Sequence, residues 1–522
     1  MKLNFRHQKF QADAARAVAD VFAGQPYSKP SPALEETGYI SFLQGRGCVN
    51  KEIVPALSDQ RILEQLNRVQ RTNQIEPSRT LEGRYNLSVE METGVGKTYT
   101  YIKTMFELSK RYGWNKFIVV VPSVAIREGV YKTFQMTREH FMEDYGQPIR
   151  FFIYDSSQLP EVEYFASDSF LHVMIINSQA FNARGQDARR IYMEMDSLNG
   201  WRPIDVIAGT RPIVIIDEPQ SVEGPQTRER LKEFHPLMTL RYSATHKKGC
   251  EYNMVYRLDA MDAYNRQLVK KISVKGISAS NALASGGYVY LEGLNLSRDY
   301  PTASIRFDCK RASGVRQKTA AAREGFNLYE RSGGLDEYRN NYIIKSIDGR
   351  DNSVELLNGI KLYAGDVAGA VDEDRLRRIQ IRETILTHIE RERQLYARGI
   401  KVLSLFFIDE VAKYRLYDDA GRPADGLYAR MFQEEYEDVV SGLQLGVGEE
   451  EYLRYLNSIP VQSTHAGYFS VDKKGKLTDG KLGDRQARTS DDVNAYDLIM
   501  RSKERLLELD PVRSPVRFIF SH

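Results

Sequence analysis

The strongest chemical signal in the sequence is a glycine-rich loop that could hold a phosphate group. The loop lies between a strand candidate at residues 86–90 and a helix candidate at residues 98–112. Its residues are Met91, Glu92, Thr93, Gly94, Val95, Gly96, Lys97 and Thr98. The two glycines let backbone N–H groups approach phosphate oxygens, and the start of the next helix carries about half a positive charge. The spacing predicts a phosphate-binding loop, although the usual pattern begins with glycine where this one has Met91.

Two side chains of this loop predict specific chemistry. Lys97 can reach the β- and γ-phosphates, which makes it a candidate catalytic cation, and the hydroxyl of Thr98 can bind Mg²⁺. The predicted contacts to the phosphorylated ligand are Thr93, Gly94, Val95, Gly96, Lys97 and Thr98. The alternative is a glycine-rich turn that happens to contain Lys-Thr, and the flanking strand and helix argue against it.

An acidic pair forms the second signal. Asp217 and Glu218 directly follow a continuous apolar run at residues 213–216. In an open parallel sheet, the loops at the carboxyl ends of the strands meet at one edge, where ligands bind. We therefore predict that Asp217 holds Mg²⁺ and that Glu218 orients an attacking water. Such a pair alone is more often structural, and its combination with the phosphate-binding loop favours the functional interpretation.

A small hydroxyl-bearing tripeptide is the third signal. Ser243, Ala244 and Thr245 stand at the end of another strand candidate, residues 239–243. The hydroxyls of Ser243 and Thr245 could bond to the acidic loop and relay the state of the bound nucleotide. A plain turn at the end of a strand is the alternative.

Composition limits the class of protein. The chain has 522 residues, of which 42% are hydrophobic and 27% are charged, and its net charge is only +3. These values exclude a disordered chain, a collagen-like fibre and a disulfide-stapled miniprotein. Its cysteines, Cys48, Cys250 and Cys309, form no CxxC pair, and the apolar runs are too short to span a membrane. We expect a cytoplasmic protein that does not enter a membrane.

The elements that must position these motifs follow an alternating pattern. Helix candidates alternate with apolar runs at residues 117–121, 172–177 and 213–216. Such runs are typical of strands that are buried on both faces of a parallel sheet. The pattern predicts an α/β domain over residues 1–265, with residues 1–23 as its first helix.

The rest of the chain changes character twice. Residues 266–372 contain short strand candidates, with a hairpin turn predicted at Asp348-Gly349, and we predict a β-rich insertion whose role no motif indicates. An α/β pattern resumes over residues 373–522. Its predicted elements are strands at 402–408, 468–471 and 516–520 and a long helix at 493–509.

The three signals, in this order, resemble superfamily 2 helicases and translocases. Gln11 resembles the glutamine that reads adenine ahead of the phosphate-binding loop in those proteins. Residues 121–130, the Asp-Glu-Pro-Gln string at 217–220, and residues 243–246 and 465–470 narrow the resemblance. Together they are similar to the restriction (Res) subunit of type III restriction-modification enzymes. The resemblance runs from Gln11 to the C-terminus and is weakest at 268–370.

The resemblance implies a fold and a function. It implies two RecA-like P-loop domains, with the β-rich insertion between them and the second domain apparently incomplete. It implies an ATP- and Mg²⁺-dependent motor that acts on double-stranded DNA together with a dimer of the DNA methyltransferase (Mod) subunit. The residues that would contact the DNA backbone are Pro122, Ser123, Arg127, Asn177, Ser178 and Gln179. Such side chains can bond phosphates without reading bases, and capping of a strand end is an equal alternative for Asn177.

Two parts that the family leads us to expect are missing from the pattern. We find neither an arginine finger nor a nuclease core, so we expect the chain to be the N-terminal part of a longer subunit or a truncated version. On that basis it should bind Mg·ATP, hydrolyse it slowly and not cut DNA. The last predicted strand should expose an apolar face. Two alternatives stay open: a stand-alone superfamily 2 helicase, and a nucleotide-binding assembly module that does not hydrolyse ATP.

Overall fold

The computed structural model of the chain divides into two compact units, Met1–Ile272 and Ser273–His522. The residues that it describes are 5–28, 48–83, 85–182, 187–198, 200–246, 251–270, 272, 274, 276–280, 287–296, 300–312, 314–369, 372–443, 450–471, 476–478 and 506–522. Each unit is presented by itself. None of the described helices is both long enough and apolar enough to cross a membrane.

Among its described residues, the first unit contains a seven-stranded parallel sheet. The strands are β1 Asn86–Met91, β2 Lys116–Val121, β3 Ile149–Ile153, β4 Leu171–Asn177, β5 Ile213–Asp217, β6 Met238–Ser243 and β7 Asn253–Leu258. Their order across the sheet is β3-β4-β2-β5-β6-β1-β7, and every neighbouring pair is parallel. The predicted α/β fold class with a parallel sheet is confirmed.

Helices cover both faces of this sheet. They are α1 Lys9–Asp20, α2 Asp59–Thr72, α3 Lys97–Tyr112, α4 Val124–Tyr145, α5 Pro160–Ser167, α6 Gln179–Asn182, α7 Pro203–Gly209, α8 Pro219–Val222, α9 Pro225–Lys232 and α10 Ala260–Asn265. Along β2, Phe117 and Val119 belong to one apolar core with α1, α3 and α4, while Ile118 and Val120 belong to the other with α5 and α7. The strand is apolar at every position because successive side chains point to opposite faces and both faces are buried.

The second unit begins with two mainly antiparallel sheets among its described residues. Their elements are β8 Ser278–Ser280, β9 Val289–Asn295, β10 Thr302–Arg311, β11 Gly314–Ala322, α11 Leu328–Arg331, β12 Ile344–Asp348, β13 Ser353–Leu356, β14 Lys361–Tyr363 and β15 Asp366–Ala368. The five-stranded sheet has the order β11-β10-β9-β15-β8 and is antiparallel except for the parallel pair of β15 and β8, and the three-stranded sheet β12-β13-β14 is antiparallel. The predicted hairpin is present, since Asp348 and Ser353 are paired across its turn.

An α/β layer completes the second unit. Its elements are α12 Glu373–Tyr396, β16 Ser404–Phe407, β17 Arg415–Tyr417, β18 Pro423–Asp425, α13 Leu427–Ser441, α14 Glu450–Asn457, α15 Val461–Thr464, β19 His465–Tyr468, β20 Ser470–Val471, β21 Leu477–Thr478 and β22 Phe518–Ser521. A parallel sheet has the order β16-β22-β19. Most of the helix predicted at 493–509 lies outside the described residues.

The prediction that the last strand exposes an apolar face is wrong. β22 lies between β16 and β19, and its residues Phe518, Ile519 and Phe520 are all buried. The exposed apolar side chains of this sheet are instead on its edge strand β16, where Phe407 is 79% exposed and Leu405 48%. The position of a strand in its sheet depends on how it pairs and not on its place in the sequence. The place of β22 late in the chain therefore did not indicate an exposed edge strand.

Candidate active site

Three strand ends meet at one edge of the seven-stranded sheet and bring the predicted catalytic motifs together. β1 leads into the phosphate-binding loop, β5 ends at Asp217 and β6 ends at Ser243. β6 is paired with both β1 and β5, so the three loops are neighbours at the carboxyl edge. This is the edge at which open parallel sheets bind ligands.

The loop needs glycine at two positions because of its backbone. Gly94 and Gly96 have φ values of +86° and +91°, a region that other L-residues rarely adopt. Gly96 is also the N-cap of α3, and a Cβ atom there would lie 2.7 Å from the side-chain nitrogen of Gln11. Within the loop, the Thr93 N–H donates to the carboxylate of Glu92 at 2.7 Å. The backbone is therefore shaped as the sequence predicts, and Glu92 holds one amide of the loop.

Lys97 and Glu218, the two predicted catalytic residues, form an ion pair. The Lys97 Nζ lies 2.8 Å from the Glu218 Oε1, and the Lys97 side chain is only 10% exposed. The other oxygen of Glu218 accepts a hydrogen bond from the Gln220 amide at 2.6 Å. Burial works to raise the pKa of the Glu218 carboxyl, but hydrogen bonds, led by the one from Lys97, outweigh it and hold the pKa below its usual value. The Glu218 side chain therefore favours the ionised carboxylate form, which can accept a hydrogen bond or a proton.

Tyr101 connects the two predicted Mg²⁺ ligands. Its hydroxyl donates to Asp217 Oδ2 at 3.4 Å, and its side chain also bonds to that of Thr98. Burial, followed by the adjacent charge of Glu218, raises the pKa of the Asp217 carboxyl to about 6. A hard cation binds carboxylate and hydroxyl oxygens, so the residue types at Thr98 and Asp217 suit Mg²⁺.

Ser243 joins the acidic loop to the end of β6. Its hydroxyl oxygen is fully buried and lies 2.8 Å from Gln220 Oε1 and 3.3 Å from Glu218 Oε2. It also accepts a hydrogen bond from the backbone N–H of Thr245 at 3.1 Å. The structure thus brings the two predicted coupling residues next to each other, with Ser243 in contact with the acidic loop and Thr245 bonded through its backbone.

Gln11 lies against the phosphate-binding loop. Its side-chain amide donates to the backbone carbonyl of Val95 at 2.9 Å, and the residue is buried. α1 carries Gln11 and packs on α3 in the same apolar core. In this geometry the glutamine bonds the loop itself, and its predicted role in contacting a nucleotide base stays a prediction.

The six predicted DNA-contacting residues share one edge of the sheet. They lie at the end of β4 or shortly after β2 and β4, which are neighbouring parallel strands, and the Ser178 N–H donates to the Val121 carbonyl at 3.0 Å. Local bonds already engage several of their side chains. Ser123 is the N-cap of α4 and accepts from the Ile126 N–H at 3.3 Å, while Asn177 accepts from the Gln179 N–H at 2.6 Å. The Ser123 side chain therefore caps the start of α4, and the Asn177 side chain caps the turn at the end of β4.

Arg127 is the cation of this second loop group. One guanidinium nitrogen donates to Glu128 Oε1 at 3.0 Å, and the side chain is 24% exposed. Within the part of the chain that the structure describes, its Nε has no hydrogen-bond partner. That Nε is buried, but a guanidinium carries five N–H donors, so the partly exposed Arg127 side chain has others left for an acceptor such as a phosphate oxygen.

Sequence reasoning missed Tyr101, Gln220 and Glu92 as parts of this site. Tyr101 follows Lys97 by four residues, so both lie on the same side of α3, and that spacing was the available signal. Gln220 and Glu92 lie inside the predicted motifs. Their bonds depend on side-chain directions that the residue types do not specify.

The fold and the site define a class of protein: an α/β protein with a P-loop at the carboxyl edge of a parallel sheet. Residues 56–248 match the family model described as type III restriction enzyme, res subunit. The EcoP15I Res subunit of Escherichia coli is 29% identical to this chain over 548 residues, which cover 100% of the chain and 51% of that relative. The EcoPI Res subunit of Escherichia phage P1 is 30% identical, with 99% and 51% covered.

Over its whole length the chain is similar to Res subunits of type III restriction-modification enzymes. A further relative, the StyLTI Res subunit of Salmonella typhimurium, is 28% identical over 494 residues and is matched over 84% of this chain and 46% of its own length. The chain spans about half the length of the curated relatives that it matches.

Proposed function

We propose that this chain is the ATP-dependent motor of a Res subunit, which binds Mg·ATP at the phosphate-binding loop and hydrolyses it on duplex DNA. The observation that carries the proposal is the meeting of Lys97, Asp217 and Glu218 at the carboxyl edge of the sheet, with a 2.8 Å contact between Lys97 and Glu218. A cation, a metal-binding carboxylate and a separate basic carboxylate are the groups that phosphoryl transfer to water requires.

Each group has a defined task in this proposal. Lys97 would neutralise the β- and γ-phosphates, and Thr98 and Asp217 would hold a Mg²⁺ ion, which would supply further positive charge to the phosphates. Glu218 orients the attacking water and accepts its proton. The pKa of Glu218 is held below its usual value, so it is ionised at neutral pH, as a general base must be. Gln11 and residues 93–96 position the nucleotide.

DNA would bind at the loops that follow β2 and β4. These loops present Pro122, Ser123, Arg127 and residues 177–179 at the same edge of the sheet as the nucleotide site. Hydrogen bonds from Ser, Asn and Arg side chains fix a protein on the phosphate backbone without reading sequence. A Mod methyltransferase dimer is the proposed source of sequence recognition. In the whole Res subunit, ATP turnover would license DNA cleavage by a nuclease domain, for which we predict no motif in residues 1–522.

We also propose a division of the chain by function. Residues 1–265 form the first RecA-like domain, residues 266–372 an insertion, and residues 373–522 a second RecA-like domain. The two compact units support the first boundary to within a few residues, because the first unit ends at Ile272. The parallel sheet of β16, β22 and β19 supports an α/β layer in the last stretch.

The test compares nucleotide binding with nucleotide turnover in one set of proteins. Binding of a fluorescent ATP analogue with Mg²⁺ and phosphate release with and without duplex DNA are measured for the wild-type chain, Lys97→Ala and Glu218→Gln. We expect the wild type and Glu218→Gln to bind nucleotide, Lys97→Ala to lose binding, and only the wild type to release phosphate above the Glu218→Gln background. Comparison with that background detects even slow turnover.

Two other results would replace the proposal. Equal phosphate release by the wild type and Glu218→Gln, despite binding, would indicate an assembly module that does not hydrolyse ATP. Stimulation by RNA that exceeds stimulation by duplex DNA, together with strand displacement, would indicate a stand-alone helicase. Normal turnover by Lys97→Ala would remove the site assignment itself.

A further inference from the structure

A cluster of two histidines and an aspartate lies beside the first turn of α3, outside the phosphate-binding site. His7 precedes α1, whereas His140 and Asp144 lie one turn apart on α4. Their ligand atoms, one from each residue, all lie within 4.8 Å of one another. We propose that these three side chains form a binding site for a divalent transition-metal ion of the zinc class, which fastens the segment ahead of α1 to α4.

The distances fit a small tetrahedral ion. The His7 Nε2 lies 3.4 Å from one Asp144 oxygen, and the His140 Nε2 lies 3.6 Å from the other. Zinc binds imidazole nitrogen and carboxylate oxygen at about 2.0–2.2 Å, so two tetrahedral ligands are roughly 3.4 Å apart. Through one oxygen for each imidazole, the Asp144 carboxylate already lies at about that separation from both Nε2 atoms. The third separation, between the imidazole nitrogens of His7 and His140, would reach the same length after a short rotation of the exposed His7 side chain.

The type of ligand selects the type of ion. Two imidazoles and one carboxylate suit zinc, nickel or cobalt, whereas magnesium and calcium prefer oxygen ligands. The charged groups that act on His140 are Asp144 and Glu143, which favour a cation, and Lys103, which opposes it. The His140 Nε2 also lies 2.8 Å from the Tyr99 hydroxyl, and this hydrogen bond is the one that the metal would replace.

The consequence of binding follows from where the ligands lie in the chain. α4 is anchored in the core through Phe134 and Phe141. The segment that carries His7 is held to it by tilted ring contacts of His7 and Phe5 with the His140 ring, with centroids 5.1 and 5.2 Å away. A metal bond would add a directional tie four residues ahead of Gln11, so occupancy would fix the start of α1 beside the phosphate-binding loop.

The binding experiment uses the full chain, freed of metal and nucleotide, in a Zn²⁺ titration against a chromophoric chelator. We expect one tight equivalent in the wild type, and affinity lower by more than about tenfold in His7→Ala and Asp144→Asn, because removal of even an outer-shell partner costs at least that much. His235→Asn is the matched control, since His235 is exposed, lies outside the cluster and has a φ of +43° that asparagine tolerates. It should bind Zn²⁺ as the wild type does.

A second readout locates the ion. Arg6 is exposed and directly precedes His7, so trypsin cleavage after Arg6 reports how firmly the segment is held. Zn²⁺ should slow this cleavage in the wild type and in His235→Asn but not in Asp144→Asn. Absence of a tight equivalent in the wild type, or equal binding and equal protection in Asp144→Asn, would overturn the proposal and leave a cluster held by ion pairs and ring contacts alone.

Discussion

The ammonium of Lys97 lies 2.8 Å from the carboxylate of Glu218 and so bridges the phosphate-binding loop and the acidic loop. In the proposed cycle both groups must serve other partners: Lys97 the β- and γ-phosphates, and Glu218 the attacking water. ATP must therefore separate this ion pair when it binds. The pair keeps the two charges satisfied in a site where Lys97 is largely buried, and its opening is part of the free energy of nucleotide binding.

The first prediction concerns Glu218→Gln. The change removes the charge that holds Lys97, so Mg·ATP should bind at least as tightly as to the wild type. The water loses its carboxylate, so single-turnover hydrolysis should slow by roughly 10²–10⁴-fold. Equilibrium binding and quenched-flow turnover measure the two effects separately. If affinity and turnover fell together, Glu218 would be a structural residue or a metal ligand.

Asp217 should destabilise the nucleotide-free protein at neutral pH. Its pKa is raised from 3.8 to about 6, chiefly by burial, so the folded state binds the proton more tightly than the unfolded chain does. Ionisation of this carboxyl therefore opposes folding: the cost is fully present above about pH 6, falls as the pH drops from there towards the unfolded value of 3.8, and is absent below it. Each pKa unit corresponds to about 1.4 kcal/mol, so Asp217→Asn should raise the free energy of unfolding at pH 7 by up to about 3 kcal/mol.

Urea unfolding followed by tryptophan fluorescence is the measurement, because the only two tryptophans, Trp114 and Trp201, both lie in the first unit. The gain in Asp217→Asn should be present at pH 7 and nearly absent at pH 4. Asp155→Asn is the control, since hydrogen bonds from the Ser157 backbone and side chain lower the pKa of Asp155 and its removal should give no gain. A gain in Asp217→Asn that did not change with pH would mean that the carboxylate is not the cause.

The interior strands of the first sheet could be predicted from the sequence, and its edge strands could not. β2, β4 and β5 are buried at every residue, so their apolar runs stand out. β3 and β7 lie at the two edges and include partly exposed residues such as Arg150 and Arg257, which break the apolar run. An edge strand buries less of its surface and therefore leaves a weaker pattern.

Buried polar contacts were the other limit of prediction. Lys116 opens β2 and is almost fully buried, with its ammonium donating to the backbone carbonyls of Phe165 and Asp168. Burial lowers the pKa of this lysine to about 8. A lysine in a sequence normally indicates a solvent-exposed position, so the strand was predicted to begin one residue later. The hydrogen bond between Tyr101 and Asp217 could not be predicted either, because it depends on tertiary geometry and not on the local sequence pattern.

Ser243→Ala should weaken the link between nucleotide state and DNA binding. The change leaves Gln220 Oε1 and the Thr245 N–H, both in part-buried contacts, without the hydroxyl that they share, and the loss of such a hydrogen bond costs about 0.5–1.5 kcal/mol. Mg·ATP should still bind, because the loop, Asp217 and Glu218 are intact. The ratio of duplex affinities with an ATP analogue and with ADP should move towards one. Ser221→Ala, at an exposed position on α8, should keep the wild-type ratio.

Ser123 is the N-cap of α4 and Arg127 lies four residues later in the same helix, yet their removal should have different effects. Arg127→Ala should weaken binding to all duplex sequences about equally and lower the slope of log affinity against log salt by about 0.9, the contribution of one phosphate contact. Ser123→Ala removes the N-cap of α4 and should cost about 1 kcal/mol of stability in the first unit. Its salt slope should stay unchanged, because a hydroxyl neutralises no phosphate charge.

Fluorescence anisotropy with two unrelated duplexes over a range of salt concentrations measures the slopes. Loss on one duplex only in Arg127→Ala would mean that Arg127 reads bases, and an unchanged slope would remove it from the DNA interface.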